Sequence, residues 1–224
     1  MKYSVKSLRA ALTALALLAA PAWADDALWA NVTASTKQAQ QLVAGDIDLV
    51  LAAAKGSAPL PAARHFRLHL SGWAQGKPVY ASTEIDALPG AKGTGESSIE
   101  LIKSVSKVGY AVFEPDAKVT RADGQPRDGK SWSVFKLRDE GVGRKIAATV
   151  WVDVAASCPH QIDTDLHIAL YVDGTMKTSY ALDDHGRCVA QRMEAEFAVI
   201  VPFSGMKMKF TQTSSNWVAQ PARL

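Results

Sequence analysis

The sequence predicts a mainly β domain, an antiparallel sandwich or a curved, partly open barrel, with one N-terminal amphipathic helix. Three observations predict it. Many short segments alternate apolar and polar side chains, which is the period of a half-buried strand. Turn signals such as Gln75-Gly76-Lys77-Pro78, Asp128-Gly129 and Asp173-Gly174 separate these segments at short intervals. One longer stretch near the N-terminus instead carries apolar residues at helical spacing.

The chain of 224 residues opens with an export signal. Lys2, Lys6 and Arg9 precede an apolar run from Ala10 to Ala20, and Pro21 leads into the small-residue site Ala22-Trp23-Ala24. This pattern predicts a signal peptide over residues 1–24, cleaved after Ala24. The apolar run is too short to span a bilayer, and no later stretch reaches about 18 apolar residues, so no membrane span is expected. Residues 25–224 then form a single domain of about 200 residues, enough for a core of its own. The expected location is periplasmic or secreted.

Charge narrows the partners. The chain holds 25 Lys and Arg against 22 Asp and Glu, a net charge of +3, and the three basic residues of the signal account for that excess. A formally neutral mature chain lacks the field that draws nucleic acid or anionic lipid.

Residues 25–34 read as a mobile lead. An amphipathic helix is predicted over about 35–55, with Ala39, Leu42, Val43, Ile47, Val50, Leu51 and Ala54 on one face. Gln38, Gln41, Gly45 and Asp48 lie opposite. Ser35 or Thr36 caps its start and Gly56 ends it. A face of Gln and Asp with little Lys argues against a membrane-surface helix.

Strands are predicted at 66–70 and 79–84. A loop follows over 88–97, a short helix over 99–108 and a strand over 110–114. Residues 121–130 read as turn, 132–137 as strand and 139–143 as turn. Residues 146–154, apolar on both faces, read as a central strand. The segment 165–172 alternates into a hairpin at Asp173-Gly174 and a strand over 177–182. After the 183–187 loop, Met193, Ala195, Phe197, Val199 and Val201 line one strand, and Met206, Met208 and Phe210 line the next.

No catalytic residues are assigned. The sequence has no His-Glu-x-x-His, no Gly-x-Ser-x-Gly and no calcium loop. Gly90 and Gly95 have phosphate-loop spacing, but Glu96 stands where that loop needs a lysine. Ser104 and Lys107 match Ser-x-x-Lys, and Lys177-Thr178-Ser179 resembles the later lysine motif of penicillin-binding enzymes, but no Ser-x-Asn lies in order between them.

Three clusters remain. Cys158 and Cys188 are the only cysteines, and in an exported chain they predict one disulfide. Closing such a loop is worth about 3–4 kcal/mol. The bond draws His160 and His185 together, with Asp163, Asp165, His167, Asp183 and Asp184 nearby. Imidazoles with carboxylates are ligands for a divalent metal; the plainer reading is a solvated strand end. His65, Arg67 and His69 share one strand face, either solvated or meeting an anion or carboxylate inside a concave sheet. Met206, Met208 and Phe210 line either a core or an adaptable apolar cavity.

Together these features predict a non-enzymatic cell-envelope binding module, with no cofactor, for a protein or an apolar small molecule. The alternatives are a metal-dependent hydrolase at the His/Asp cluster and a purely structural interaction module using exposed strand edges.

Overall fold

The structure, a computed structural model, describes residues 26–53, 64–85, 118–169, 172–201 and 204–221. Helix α1 (Ala27–Ala39) is followed by β1 (Leu42–Ala53), β2 (Arg64–Ala74), β3 (Lys77–Glu84), β4 (Lys118–Arg127) and β5 (Lys130–Gly141). The chain continues through β6 (Arg144–Asp153), β7 (Cys158–Ile168), β8 (Val172–Leu182), β9 (Cys188–Val201) and β10 (Ser204–Ala219).

All ten strands form one antiparallel sheet in the order β3-β2-β1-β10-β9-β8-β7-β6-β5-β4. Two simple meanders, β1 to β3 and β4 to β10, join where β1 pairs with β10. Among the described residues the edges β3 and β4 do not pair with each other, so the sheet is open. A mainly β, open antiparallel sheet with one N-terminal helix agrees with the expected sandwich or curved, partly open barrel.

The helix, however, is not the predicted one. Residues 35–55 were expected to be helical, but α1 ends at Ala39 and residues 42–53 form a strand. The segment satisfies both periods. Ile47, Leu49 and Leu51 alternate with Asp46, Asp48 and Val50 as well as falling on a helical stripe. Pairing decides the outcome: as a strand, β1 is bonded along one edge to β10 and along the other to β2. Gly45 permits it, since a Cβ there would lie 2.5 Å from the Asn216 carbonyl oxygen.

The helix forms instead in the expected lead. Asp26 is its N-cap, accepting from the Leu28 and Trp29 amides at 2.9 and 3.3 Å. Ser35 and Thr36, expected as caps, lie inside the helix and donate to the Val32 carbonyl. Ser35 also donates to the Ser157 carbonyl at 2.9 Å, docking α1 beside the start of β7.

Two predicted turns are strand. Residues 121–130 are mostly β4, bulged between Ala122 and Gln125, and only Asp128-Gly129 reverses the chain, with φ of 50° and 72°. Asp173-Gly174 lies within β8, and the reversal falls between Ile168 and Val172. Gly174 serves packing rather than turning: a Cβ there would sit 2.1 Å from Phe197 Cδ1. The turn expected over 139–143 is tighter, because β5 runs on to Gly141. The predicted helix at 99–108, the strand at 110–114, the glycine spacing from Gly90 and the Ser104–Lys107 match lie outside the described residues.

Apolar side chains alternate onto one face of the sheet, the inner one, in two clusters. The first holds Phe135, Val150, Ile162 and Tyr180 with Val32, Leu28 and Trp29 of α1. The Trp29 and Phe135 rings lie 4.9 Å apart. Cys158 and Cys188 are bonded inside this cluster, Cα atoms 5.7 Å apart, tying β7 to β9. The second cluster runs across seven strands from Phe66 through Leu49, Phe210, Phe197 and Leu166 to Ile146, and α1 contributes nothing to it.

Replacing both cysteines with alanine is expected to cost about 2–5 kcal/mol in urea unfolding. Gly174→Ala is expected to cost about 1–3 kcal/mol through the Phe197 clash. Gly72→Ala, with no atom within 4 Å of the added carbon, should change stability by well under that amount.

Candidate functional site

The two faces differ in chemistry because strand alternation sorts them. On the outer face of β7 stand Asp163, Asp165 and His167, with the apolar Ile162 and Leu166 pointing the other way. His167 pairs with Asp173 on β8. Asp163 accepts from the Trp151 indole at 2.9 Å, from Arg127 at 3.4 Å and from Gln161. His160 stacks on Trp132 at 4.6 Å.

Asp183 organises the β8–β9 loop. Its carboxylate accepts from the His185 and Arg187 amides at 2.9 and 2.8 Å and from the Arg187 guanidinium at 2.7 Å. His185 and Asp184 are exposed. The disulfide thus joins the backbones, while the side chains named for a metal are spread over a sheet face and a loop. Among the described residues, no three His, Cys, Asp or Glu side chains converge where an ion could sit.

His65, Arg67 and His69 share the outer face of β2, as their spacing requires. Their carboxylates come from β1: His65 Nε2 lies 2.8 Å from Asp48, Arg67 3.7 Å from Asp48, and His69 Nδ1 2.7 Å from Asp46. Asp46 also accepts from the Asn216 amide. These three side chains thus meet carboxylates of the chain itself, on the outer face of the sheet. They could not be paired in advance, because Asp46 and Asp48 sat in a predicted helix.

A trough of about 590 Å3 crosses the outer face from β5 to β10. Ala147 and Ala198 lie in its floor, with Arg138, Lys145, Asp165 and Glu196 among its walls. Charges of both signs alternate over this face, as in the 2.9 Å Lys209–Glu196 pair.

Several ionisable groups have partners that hold them ionised. Burial pushes the Asp26 carboxyl up, but the Arg121 guanidinium at 2.6 Å and the α1 amides outweigh it and hold it below the usual range. The Ser133 hydroxyl and Arg121 lower Asp123. Burial also opposes Asp183, and Arg187 with the loop amides brings it down. Burial pushes the Tyr80 phenol up to about 12, while its hydroxyl donates to the Ala44 carbonyl. These are structural pairings: Asp26–Arg121 fastens the edge strand β4 to the helix cap. Arg127, 4.6 Å above the Trp151 ring, fastens the other end of β4.

The inner face is apolar and buried. Ala148, Thr164, Met176, Ala195 and Phe210 lie in register across β6, β7, β8, β9 and β10. Phe210 is buried in the second cluster and Met208 is half-buried, whereas the Met206 side chain lies outside the described residues. The exception in that band is Thr164, which is 3% exposed and whose Oγ1 has no hydrogen-bond partner among the described residues. Sequence reasoning passed over it. Its signal was a hydroxyl at a core position, between Ile162 and Leu166.

No helix among the described residues is long and apolar enough to cross a membrane. No family model, curated protein or solved structure matches the chain.

Stability should fall as pH drops through the carboxylate range. Asp26, Asp123 and Asp183 have folded pKa values below their unfolded values. Their contribution is therefore complete above the unfolded pKa of about 3.9 and is lost as the groups protonate. Arg121→Ala should flatten the decline between about pH 5 and pH 3 in urea titrations, because it frees two of the three carboxylates. Asp26→Ala, which loses both cap and ion pair, should cost about 1–2 kcal/mol, more than Asp26→Asn, which retains a capping side chain.

Proposed function

We propose that the chain is an exported, non-enzymatic binding module of the cell envelope that holds an apolar small molecule against the inner face of its open sheet. One observation carries this reading. Among the described residues the inner face is apolar from Phe66 on β2 to Ile146 on β6, β3 and β4 do not pair, and α1 packs only against the cluster that holds the disulfide. An open sheet with an apolar face is suited to a ligand that must leave water yet enter and exit. The inner lining includes Met176 and Met193, whose flexible thioethers adapt to varied apolar shapes.

Export is supported by the signal pattern of residues 1–24 and by the Cys158–Cys188 bond, which persists in an oxidising compartment. The non-enzymatic reading is supported by the ionisable groups. The shifted carboxylates are lowered by hydroxyl, guanidinium, imidazole and amide partners, as in structural pairs, whereas catalytic acids and bases are tuned toward neutral pH.

The test is uptake of N-phenyl-1-naphthylamine by the mature protein, with native mass spectrometry of protein purified from its export compartment. Saturable fluorescence enhancement, competed by an aliphatic alcohol, is expected, together with a co-purified apolar mass. A bare protein mass with no saturable uptake overturns the reading.

A further inference from the structure

We infer that the unpaired edge of β3 joins a second copy of this chain: two β3 strands pair antiparallel about a twofold axis at Ser82, and the sheet runs on from one protomer into the other. The pairing is independent of what the inner face holds.

The two edges of the sheet are unlike. β4 is bulged, carries Pro126 and presents Lys118, Arg121, Asp123 and Arg127, features that discourage edge pairing. β3 is unbulged, since the extra residue, Ser71, lies on β2, and its Lys77 and Pro78 stand at its very start. Among the described residues no strand pairs with its second edge. The strand is also held in place from the paired side. The Tyr80 hydroxyl donates to the Ala44 carbonyl at 2.8 Å, and Arg64 meets Glu84 at 2.6 Å.

The backbone of β3 fixes which groups are on offer. The Ile85 amide donates to the His65 carbonyl at 2.8 Å. Backbone groups of an antiparallel strand alternate between its two edges. Thr83 and Ala81 thus turn their amides toward β2, and Tyr80, Ser82 and Glu84 turn theirs to the unpaired edge. Pro78 has the same parity, so the amide it lacks would lie on that edge and pairing stops there. With Ser82 opposite Ser82 of the second copy, and Tyr80 opposite Glu84, every outward amide and carbonyl of these three residues finds a partner. Pro78 lies outside the paired span.

The side chains agree with that register. Val79, Ala81, Thr83 and Ile85 alternate on the outer face, all exposed and none charged. Val79 is 42% and Ile85 40% exposed, large apolar side chains that the single chain leaves in water. The axis at Ser82 sets Val79 of each copy opposite Ile85 of the other, and Ala81 opposite Thr83. Apolar and β-branched pairs of this kind stabilise adjacent strands. On the inner face the one charge in the span, Glu84, is already neutralised by Arg64. A slip of the axis to Ala81 or Tyr80 would set Glu84 or Ser82 against Pro78 and part Val79 from Ile85. The interface is isologous, the same patch on both copies, so it closes at a dimer.

Sedimentation velocity of the mature protein, from low micromolar to submillimolar concentration, is expected to show a reversible monomer–dimer equilibrium. Val79→Lys with Ile85→Lys sets like charges opposite one another at both ends of the span and should weaken dimerisation about tenfold or more. Val79→Lys with Ile85→Glu sets each introduced lysine opposite an introduced glutamate of the other copy and should bring the affinity back to within about threefold of wild type. Both positions are exposed, so the circular dichroism of both variants should match wild type. A wild-type chain that stays monomeric throughout overturns the proposal, and so does dimerisation of equal strength in all three proteins. A lysine–glutamate variant as weak as the double-lysine variant overturns the register.

Discussion

The pairing of β1 with β10 is the constraint on which the rest depends. It runs from Leu42–Ala219 to Ala53–Met208 and joins strands from opposite ends of the chain. Without it, the two meanders would be separate sheets with two further unpaired edges, each a template for aggregation. With it, Leu51 meets Phe210 and the apolar lining passes unbroken from β2 to β6. It also brings Asn216 against Gly45, while the β1–β2 pairing on the other edge places Asp46 and Asp48 opposite the basic face of β2. A long-range contact of this kind is entropically expensive to close. It forms because β1 and β10 would otherwise each carry an unsatisfied backbone edge beside an apolar face.

From that pairing follows the division of labour between the faces. The inner face gathers apolar mass, and the outer face becomes a board of alternating charges in which His65, His69, His167 and Glu196 each meet a partner on the adjacent strand. This explains why the densest polar cluster of the sequence does not converge on one point. Side chains at alternate positions of a strand stand about 6.7 Å apart. Cross-strand pairs such as His167–Asp173 satisfy them two at a time. The disulfide contributes to the first apolar cluster and to the docking of β7 and β9, not to chemistry at the surface.

The open edges are managed differently. β4 is bulged, carries Pro126 and is fastened at both ends by arginines, Arg121 to the helix cap and Arg127 to Trp151 and Asp163. Bulges and prolines are common protections of exposed edges. With β4 fastened in this way rather than joined to β3, the described part of the sheet stays open. Within its apolar lining Thr164 is a buried hydroxyl without a hydrogen-bond partner among the described residues.

The sequence by itself determined the antiparallel β architecture, the strands around Phe66–Leu70 and Met193–Val201, the shared face of His65, Arg67 and His69, and the cysteine pairing. Each follows from alternation or from elimination, which are local or nearly local properties. Only the tertiary structure decided that residues 42–53 are a strand, that 27–39 are the helix, that Asp173-Gly174 sits in mid-strand and that Arg121 belongs to an edge strand. The physical reason is the same in each case. Helical and strand periods overlap over a short apolar run, and a glycine required by a neighbouring ring resembles a glycine required by a turn. The deciding partners are Gln212 for Leu49, Phe197 for Gly174 and Asp26 for Arg121. They lie far away in the chain and become neighbours only when the sheet assembles.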